Sequence, residues 1–493
     1  MQPTLIPRSH DYLVLLLLLT LSLALGGCIN VPPQPAASPI PATATSAAAT
    51  ATPAGATATP LPVVPTTTAA AVTPAIAPTA TGVAAAPTPP SPALSTDSLV
   101  QTVLSGLPQG AFEGVVALPL SVPAGRPPLW AVYSRGMRNF DLTPLPNHFV
   151  AIYTQAGGQW RELARQEFAS EDQTLAAPDY MEDGGLAQVQ IEPSHTWLTL
   201  EGGVGAHSGV FNLLNFDGQA LHVPVSGFSS SPGIWSIKDV NGDGIPDVIL
   251  DATDYYVFCY ACGVRKVGFQ VFAWDQANGR MLEQQINPML MGQSGHPART
   301  LTNEAVLLAQ AGLWKDAAAV IAEAKQAAAN VQPPFTNDTV DWDYGLIKLR
   351  ASALASAVAD SSYPLLSNVF YGDYAAAVDL MRPYSAQQIF SAQTPLVIGT
   401  TAESWVSELS SAITTTVESA LMLKPDLAPA YFLRGWALYL ADPIANRARA
   451  KTDVEKAAAL APDDALFRDA AAYLAGSSSS RPRPVARSGK MHP

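Results

Sequence analysis

The pattern of apolar and polar positions changes along the chain, and each part predicts a different kind of structure. Residues 97–298 carry short runs of Val, Ile, Phe, Tyr, Trp and Leu between turn residues, which predicts strands and hairpins. A short helix over 98–107 is expected to lead into them. Residues 299–476 are rich in alanine, with apolar positions recurring at a period near 3.6, which predicts helices. The expected fold class is therefore α+β, with a β-rich region followed by an all-α region.

Three segments of the β-rich region are expected to form similar hairpins. They are 150–160, 210–218 and 271–279, and they begin about 60 residues apart. Each contains Gly-Gly, Asp-Gly or Asn-Gly, the turn dipeptides that permit positive φ. The regular spacing indicates repeated β units.

The first 27 residues are expected to be a lipoprotein signal peptide. An almost unbroken apolar run from Tyr12 to Leu25 follows a weakly basic start. It is shorter than the roughly 20 residues that a membrane-spanning helix needs. The run ends in LGGC, which resembles the lipobox of bacterial lipoproteins, where the Cys is acylated and becomes the mature N-terminus. The resemblance implies a lipid on Cys28 that anchors the chain to the extracytoplasmic face of the cell membrane. The alternative is an uncleaved anchor helix with a chance cysteine.

Residues 28–96 are expected to be a disordered linker. No charged residue occurs from Ile29 to Thr96, where Pro, Ala and Thr dominate. Pro blocks helices and sheet ladders, and small side chains cannot build a core. Fully extended at about 3.1 Å per residue, the linker would reach on the order of 200 Å. Residues 477–493 place basic residues among Ser and Pro and are expected to be a disordered basic tail.

The charge of the chain bears on its partners. The formal net charge is −13 at pH 7. Nucleic-acid binding normally needs a basic face, so an acidic surface argues against a nucleic-acid partner.

The sharpest motif of the β-rich region is DVNGDGIPD, which spans 239–247. Oxygen side chains at its positions 1, 3, 5 and 9, with Gly at position 6, wrap a backbone around a hard cation. Position 7 would contribute a backbone carbonyl. The predicted Ca²⁺ ligands are Asp239, Asn241, Asp243, Ile245 and Asp247. The alternative is a polar turn held by Asx hydrogen bonds without a metal.

The flanks of this motif distinguish it from an EF-hand. Position 12, a Glu in EF-hands, is Leu250, and both flanks are predicted strands. The loop is similar to the calcium loops of FG-GAP (integrin-type) propeller repeats, where the loop joins two strands of one blade. Those repeats continue into a strand like the one at 269–272 here. The resemblance implies a structural Ca²⁺. About three units cannot close a propeller, which needs at least about four blades, so we expect a propeller-like open sheet or a compact β domain.

Cys259 and Cys262 form a CxxC pair. Zinc would need about four ligands, and no second CxxC or nearby His pair occurs. The aromatic, β-like surroundings differ from the helix N-terminus of a thioredoxin-like dithiol. Because export favours oxidation, a structural disulfide is expected. A reduced buried pair and a redox pair are the alternatives.

The segment 423–438 resembles a tetratricopeptide repeat (TPR). In that family a Pro closes one repeat, and the next helix carries an aromatic, a close-packing Gly and a small residue. The matching positions are Pro425, Tyr431, Gly435 and Ala437. The resemblance is best over 412–476 and weaker over 303–382, where two possible inter-helix turns occur. It implies a concave groove that binds proteins or peptides. The alternative is a generic alanine-rich helix bundle.

No sequence motif of catalysis was found. HExxH, GxSxG and GxxxxGK[ST] do not occur in the sequence, and no catalytic residue is assigned. The expected function is that of a noncatalytic, membrane-anchored surface lipoprotein. It would mediate protein–protein interaction through TPR-like repeats and carry a calcium-stabilised β domain. The alternatives are an extracellular polysaccharide-binding or hydrolase module and an envelope-assembly accessory factor.

Overall fold

The computed structural model describes residues 94–172, 174–231, 233, 235–287, 296–330 and 338–476. The predicted signal peptide, Cys28, nearly all of the predicted linker and the predicted basic tail lie outside the described residues. Within them the fold is α+β, as the sequence predicts. An antiparallel, curled β region precedes a helical region.

The β region opens with helix α1 (Thr96–Ser105), where the Ser95 hydroxyl accepts a hydrogen bond from the amide of Ser98. The strands that follow in the described residues are β1 (Gly114–Leu120), β2 (Leu129–Met137), β3 (His148–Ala156), β4 (Gln159–Phe168), β5 (Tyr180–Met181), β6 (Leu186–Val189), β7 (Thr196–Val204), β8 (Ser208–Phe216), β9 (Leu221–Ser229), β10 (Trp235–Lys238), β11 (Asp247–Asp251), β12 (Phe269–Asp275) and β13 (Arg280–Gln284).

These strands form two antiparallel sheets. The larger sheet has the order β4-β3-β2-β5-β7-β8-β9, with β1 beside β2 and β6 beside β7. The smaller sheet is the meander β10-β11-β12-β13. The three predicted hairpins are confirmed as β3–β4, β8–β9 and β12–β13, and their turns contain the positive-φ residues Gly157, Gly218 and Gly279.

Strand β3 contributes buried side chains to both faces of the larger sheet. Its side chains are buried along most of its length, on both faces. Val150 and Ile152 pack into the hollow of the curled sheet, whereas Phe149 and Ala151 pack with Leu99 of α1. Helix α1 therefore covers the second face of the sheet, which would otherwise expose apolar surface to water.

The helical region begins after the smaller sheet. Its helices in the described residues are α2 (Pro297–Gln310), α3 (Trp314–Ala329), α4 (Asp338–Ala359), α5 (Pro364–Tyr371), α6 (Tyr374–Asp379), α7 (Ala386–Ile389), α8 (Val406–Leu423), α9 (Ala428–Ala441), α10 (Arg447–Leu460) and α11 (Ala465–Gly476). Across the described part of the chain, none of the helices has the length and apolar character needed to cross a bilayer.

The two regions share apolar packing. Phe258, Val264 and Val267 belong to the same buried cluster as the helices. Helix α4 lies on the smaller sheet, where Leu346 packs against Ile249 and other side chains of β11 and β12. The β region and the helices are thus joined by a hydrophobic core.

Helix α4 also touches the backbone of the DVNGDGIPD loop. A Cβ added at Gly345 would lie 2.2 Å from the carbonyl oxygen of Val240, far inside van der Waals contact. Only glycine permits this approach, so the loop and the helix fix each other's position.

Replacing Gly345 with Ala tests this contact. In an open helix the change would add up to about 1 kcal/mol of stability. Here we expect a net loss of about 1–3 kcal/mol in the free energy of unfolding, because the new methyl group must displace backbone. Urea denaturation of the mature protein measures it. The control is Gly476→Ala, where a Cβ meets nothing within 4 Å. A Gly345→Ala protein as stable as the wild type would contradict the contact.

Candidate functional site

The predicted calcium loop connects two paired strands. Lys238 at the end of β10 lies opposite Asp247 at the start of β11. The amide of Val240 donates a hydrogen bond of 2.8 Å to Asp247 Oδ2. The loop is therefore closed at its base, and the first and last predicted ligands belong to one hairpin.

Inside the loop the side chains bind backbone amides. The two carboxylate oxygens of Asp239 accept from Gly242 at 2.6 Å and from Gly244 at 2.9 Å. Asp243 Oδ1 accepts from the amide of Ile245 at 2.7 Å. Both glycines have positive φ, which lets the chain curl around the Asp239 carboxylate.

Negative charge is concentrated at this turn. Asp247 is only 1% exposed, and burial raises its pKa to about 7. The neighbouring charges of Asp243 and Asp239 raise this pKa further, and the hydrogen bond from Val240 opposes the shift. In the described residues no Lys, Arg or His makes an ion pair with these three carboxylates.

The donor set has the chemistry of a calcium loop but is not assembled as one. Aspartate, asparagine and carbonyl oxygens are the donors that Ca²⁺ prefers. However, no group of three or more His, Cys, Asp or Glu among the described residues is arranged to hold a metal ion. The structure brings the five predicted ligands into one hairpin loop, and calcium binding there stays a prediction.

The second predicted feature lies in the loop between β11 and β12. Cys259 and Cys262 are joined by a disulfide across one turn of 3₁₀ helix. The hydroxyl of Ser362, between α4 and α5, donates to the carbonyl of Cys262. Phe258, next to the disulfide, is buried with the helical core. The disulfide therefore constrains a loop that is docked on the helices.

A serine–histidine pair in the larger sheet was not found from the sequence. Ser134 Oγ and His148 Nδ1 lie 2.8 Å apart, and His148 Nε2 lies 3.2 Å from the carbonyl of Asp179. Both side chains are fully buried, and burial lowers the pKa of His148 to about 4. The imidazole is a weak base without access to solvent, which is the character of a structural core group.

Another polar cluster surrounds Glu192. Its carboxylate accepts hydrogen bonds from Ser194, His195 and Trp197, all within five residues. Burial would raise the pKa of Glu192, but these bonds lower it to about 2. Ser194 and Glu192 both contact the same ring nitrogen of His195, whereas a catalytic triad uses the two nitrogens separately. The cluster is a capped turn.

Of the positions that resemble a TPR, Tyr431, Gly435 and Ala437 lie on α9, and Pro425 lies in the turn before it. A Cβ at Gly435 would approach Val454 and the carbonyl of Ala450 on α10 to about 3 Å, so the glycine permits close packing of the two helices. Trp436 is fully buried and donates to the carbonyl of Ile389. Helices α8 and α9 also border a cleft of 560 Å³. Its lining is rich in hydroxyls, namely Ser407, Ser410, Ser411, Thr414 and Thr415, with Val406, Leu438 and Ala441.

Comparison with known proteins does not assign this chain to a family. No family model matches the sequence, and no curated protein matches it. Among solved structures, one described as "MamA RS-1 ArsTM double mutant" is 14% identical in sequence. The match covers 38% of this chain and 88% of that chain. The TM-score is 0.15, so this likeness carries no argument about the fold or the function.

Proposed function

We propose that this chain is a noncatalytic surface lipoprotein, anchored to the outer face of the cell membrane by a lipid on Cys28. Its helices form degenerate TPR-like repeats that bind a protein or peptide. Its β region is a propeller-like platform stabilised by calcium.

The observation that carries this proposal is the contact between two inter-helix turns. Gly312 lies between α2 and α3, and Gly372 lies between α5 and α6, both with positive φ. A Cβ at Gly372 would lie 2.5 Å from the carbonyl oxygen of Gly312. Lys315 Nζ and Asp373 Oδ2, which follow the two glycines, are 2.6 Å apart. Equivalent positions of two helical hairpins are therefore neighbours, as stacking of repeats requires.

The cleft between α8 and α9 is the partner surface of this proposal. The hydroxyl groups lie along α8, where those of Ser410 and Thr414 donate to helix carbonyls. The hydroxyls of Ser407, Ser411 and Thr415 are the ones that would donate to and accept from the backbone of an extended peptide. Leu438 and Val406 supply apolar side chains to the lining. Small side chains leave the cleft open.

Ser411→Arg is expected to block the partner, because a long charged side chain would fill the cleft. We expect at least about tenfold less partner captured from envelope fractions by the full mature protein. Quantitative mass spectrometry of the captured proteins provides the measurement.

The matched control for this experiment is Ser356→Arg, an exposed position on α4 outside the cleft. It should capture as the wild type does. Equal capture by the two variants would contradict the cleft as the partner surface, and capture of glycans alone would contradict the protein-binding function.

The lipid anchor predicts covalent labelling of the chain. The wild type should incorporate a radiolabelled fatty acid, and Cys28→Ser, which removes the acyl acceptor of the lipobox, should incorporate none. Fatty-acid labelling of membrane fractions provides the measurement. A wild type that sediments with membranes without any label would point instead to an uncleaved anchor helix.

Calcium binding in the loop is supported by its donors and by its place in the smaller sheet. The loop joins the first two strands of a four-stranded meander, the position that the FG-GAP resemblance implies. A divalent cation would neutralise the carboxylates that raise the pKa of Asp247.

Asp239→Ala with Asp243→Ala is expected to abolish calcium-dependent thermal stabilisation. The wild type should melt at a higher temperature in calcium than in EDTA, because a ligand that binds only the folded state stabilises it. Differential scanning calorimetry measures the difference.

The control is Asp217→Ala. Asp217 also accepts backbone amides in a hairpin turn, from Gln219 and Ala220, but belongs to no predicted metal loop. It should lower the melting temperature while keeping the calcium response. A wild type that melts equally in calcium and EDTA would refute the calcium proposal.

A second candidate function is glycan binding by the β region. Four aromatic rings cluster near the disulfide loop, those of His207, Tyr255, Tyr256 and Tyr260. His207 stacks on Tyr260 with a centroid distance of 4.5 Å. Tyr256 and Tyr260 are 49% and 37% exposed. Exposed aromatic faces are platforms on which sugar rings pack, so a Tyr256→Ala change that abolished polysaccharide retention would favour this alternative.

A further inference from the structure

Arg350 places a half-buried positive charge at the junction between the β region and the helices. It lies on α4, and its Nη2 donates to the carbonyl of Val267 at 2.9 Å. Its guanidinium stacks over the ring of Trp314, with 4.6 Å from Cζ to the ring centroid. Its Nε is buried and has no hydrogen-bond acceptor within the described residues.

This guanidinium has no counter-charge in the described part of the chain. No carboxylate there makes an ion pair with it. Burial lowers the pKa of Arg350. Glu283 lines a neighbouring cavity together with Arg350 but makes no ion pair with it in the described residues. A half-buried charge without a counter-charge loses part of its hydration, and the aromatic face of Trp314 offsets part of that cost.

A cavity of 220 Å³ opens beside Arg350. Lys266 adds a second cation to its lining, and it too makes no ion pair within the described residues. Thr415, Thr416 and Ser419 of α8 border the same space with hydroxyl groups. The apolar part of the lining includes Trp314, Leu354 and Phe370. The lining thus combines two cationic side chains, three hydroxyl groups and apolar side chains.

We propose that this cavity binds a carboxylate attached to an apolar group. The guanidinium supplies a charge-assisted donor for a carboxylate, Lys266 adds a second positive charge, and the aromatic and aliphatic side chains take the apolar part. The volume suits a single side-chain-sized group. The site does not rest on the proposed function, because it needs neither calcium nor a repeat architecture.

The test uses the full mature protein and N-acetylphenylalanine, with its uncharged amide as the matched probe, in isothermal titration calorimetry. The acid should bind at least about tenfold more tightly than the amide. Arg350→Gln should weaken binding of the acid at least about tenfold, since it removes a charge-assisted pair. Lys266→Gln, which alters an exposed side chain, should weaken it about threefold. Lys348→Gln is the control, because Lys348 lies on the same helix as Arg350 and does not line this cavity.

Two results would overturn the proposal. One is equal affinity for the acid and the amide. The other is an unchanged affinity for the acid in both Lys266→Gln and a folded Arg350→Gln protein. Inorganic phosphate is the competing probe, and tighter binding of phosphate than of the acid would overturn the choice of carboxylate. A pentapeptide with C-terminal phenylalanine separates the two sources of such a group. Tighter binding than the single amino acid supports a chain end, and equal binding supports a small free acid.

Discussion

The close approach of α4 to the loop between β10 and β11 is the contact on which the rest of the arrangement depends. It requires a glycine, because any side chain at Gly345 would meet the carbonyl of Val240. From this point α4 carries Leu346 onto the smaller sheet and Arg350 to the carbonyl of Val267. One helix therefore sets the position of the acidic loop, the shared core and the cationic cavity.

Two charged places are not neutralised by the protein groups described. The loop gathers three carboxylates without a cation, and the cavity presents Arg350 without an anion. Buried or closely spaced charges cost free energy unless a partner of opposite sign is bound. Both places are therefore where ligands of opposite sign would add most to stability, a divalent cation in the first and a carboxylate in the second.

Local signals predicted the parts of this fold that depend on local chemistry. Turn dipeptides indicated three hairpins, and Gly279 and its counterparts adopt the positive φ that the turns need. The strand order β2-β5-β7 could not be predicted from local sequence, because these pairings join strands that are far apart in the chain. Arg350 was missed for the same reason: its partners Val267 and Trp314 are distant in the chain. From sequence alone, Gly345 indicates only a position that weakens a helix. Its role in the close approach to Val240 becomes visible only when the position of the loop is known.

The most direct test of this account is hydrogen exchange in the mature protein with calcium and with EDTA. If the loop and α4 are one unit, calcium slows exchange of the amides in 239–247 and also of those in α4 around Gly345. Exchange that responds to calcium in the loop alone, or in neither segment, would contradict the coupling.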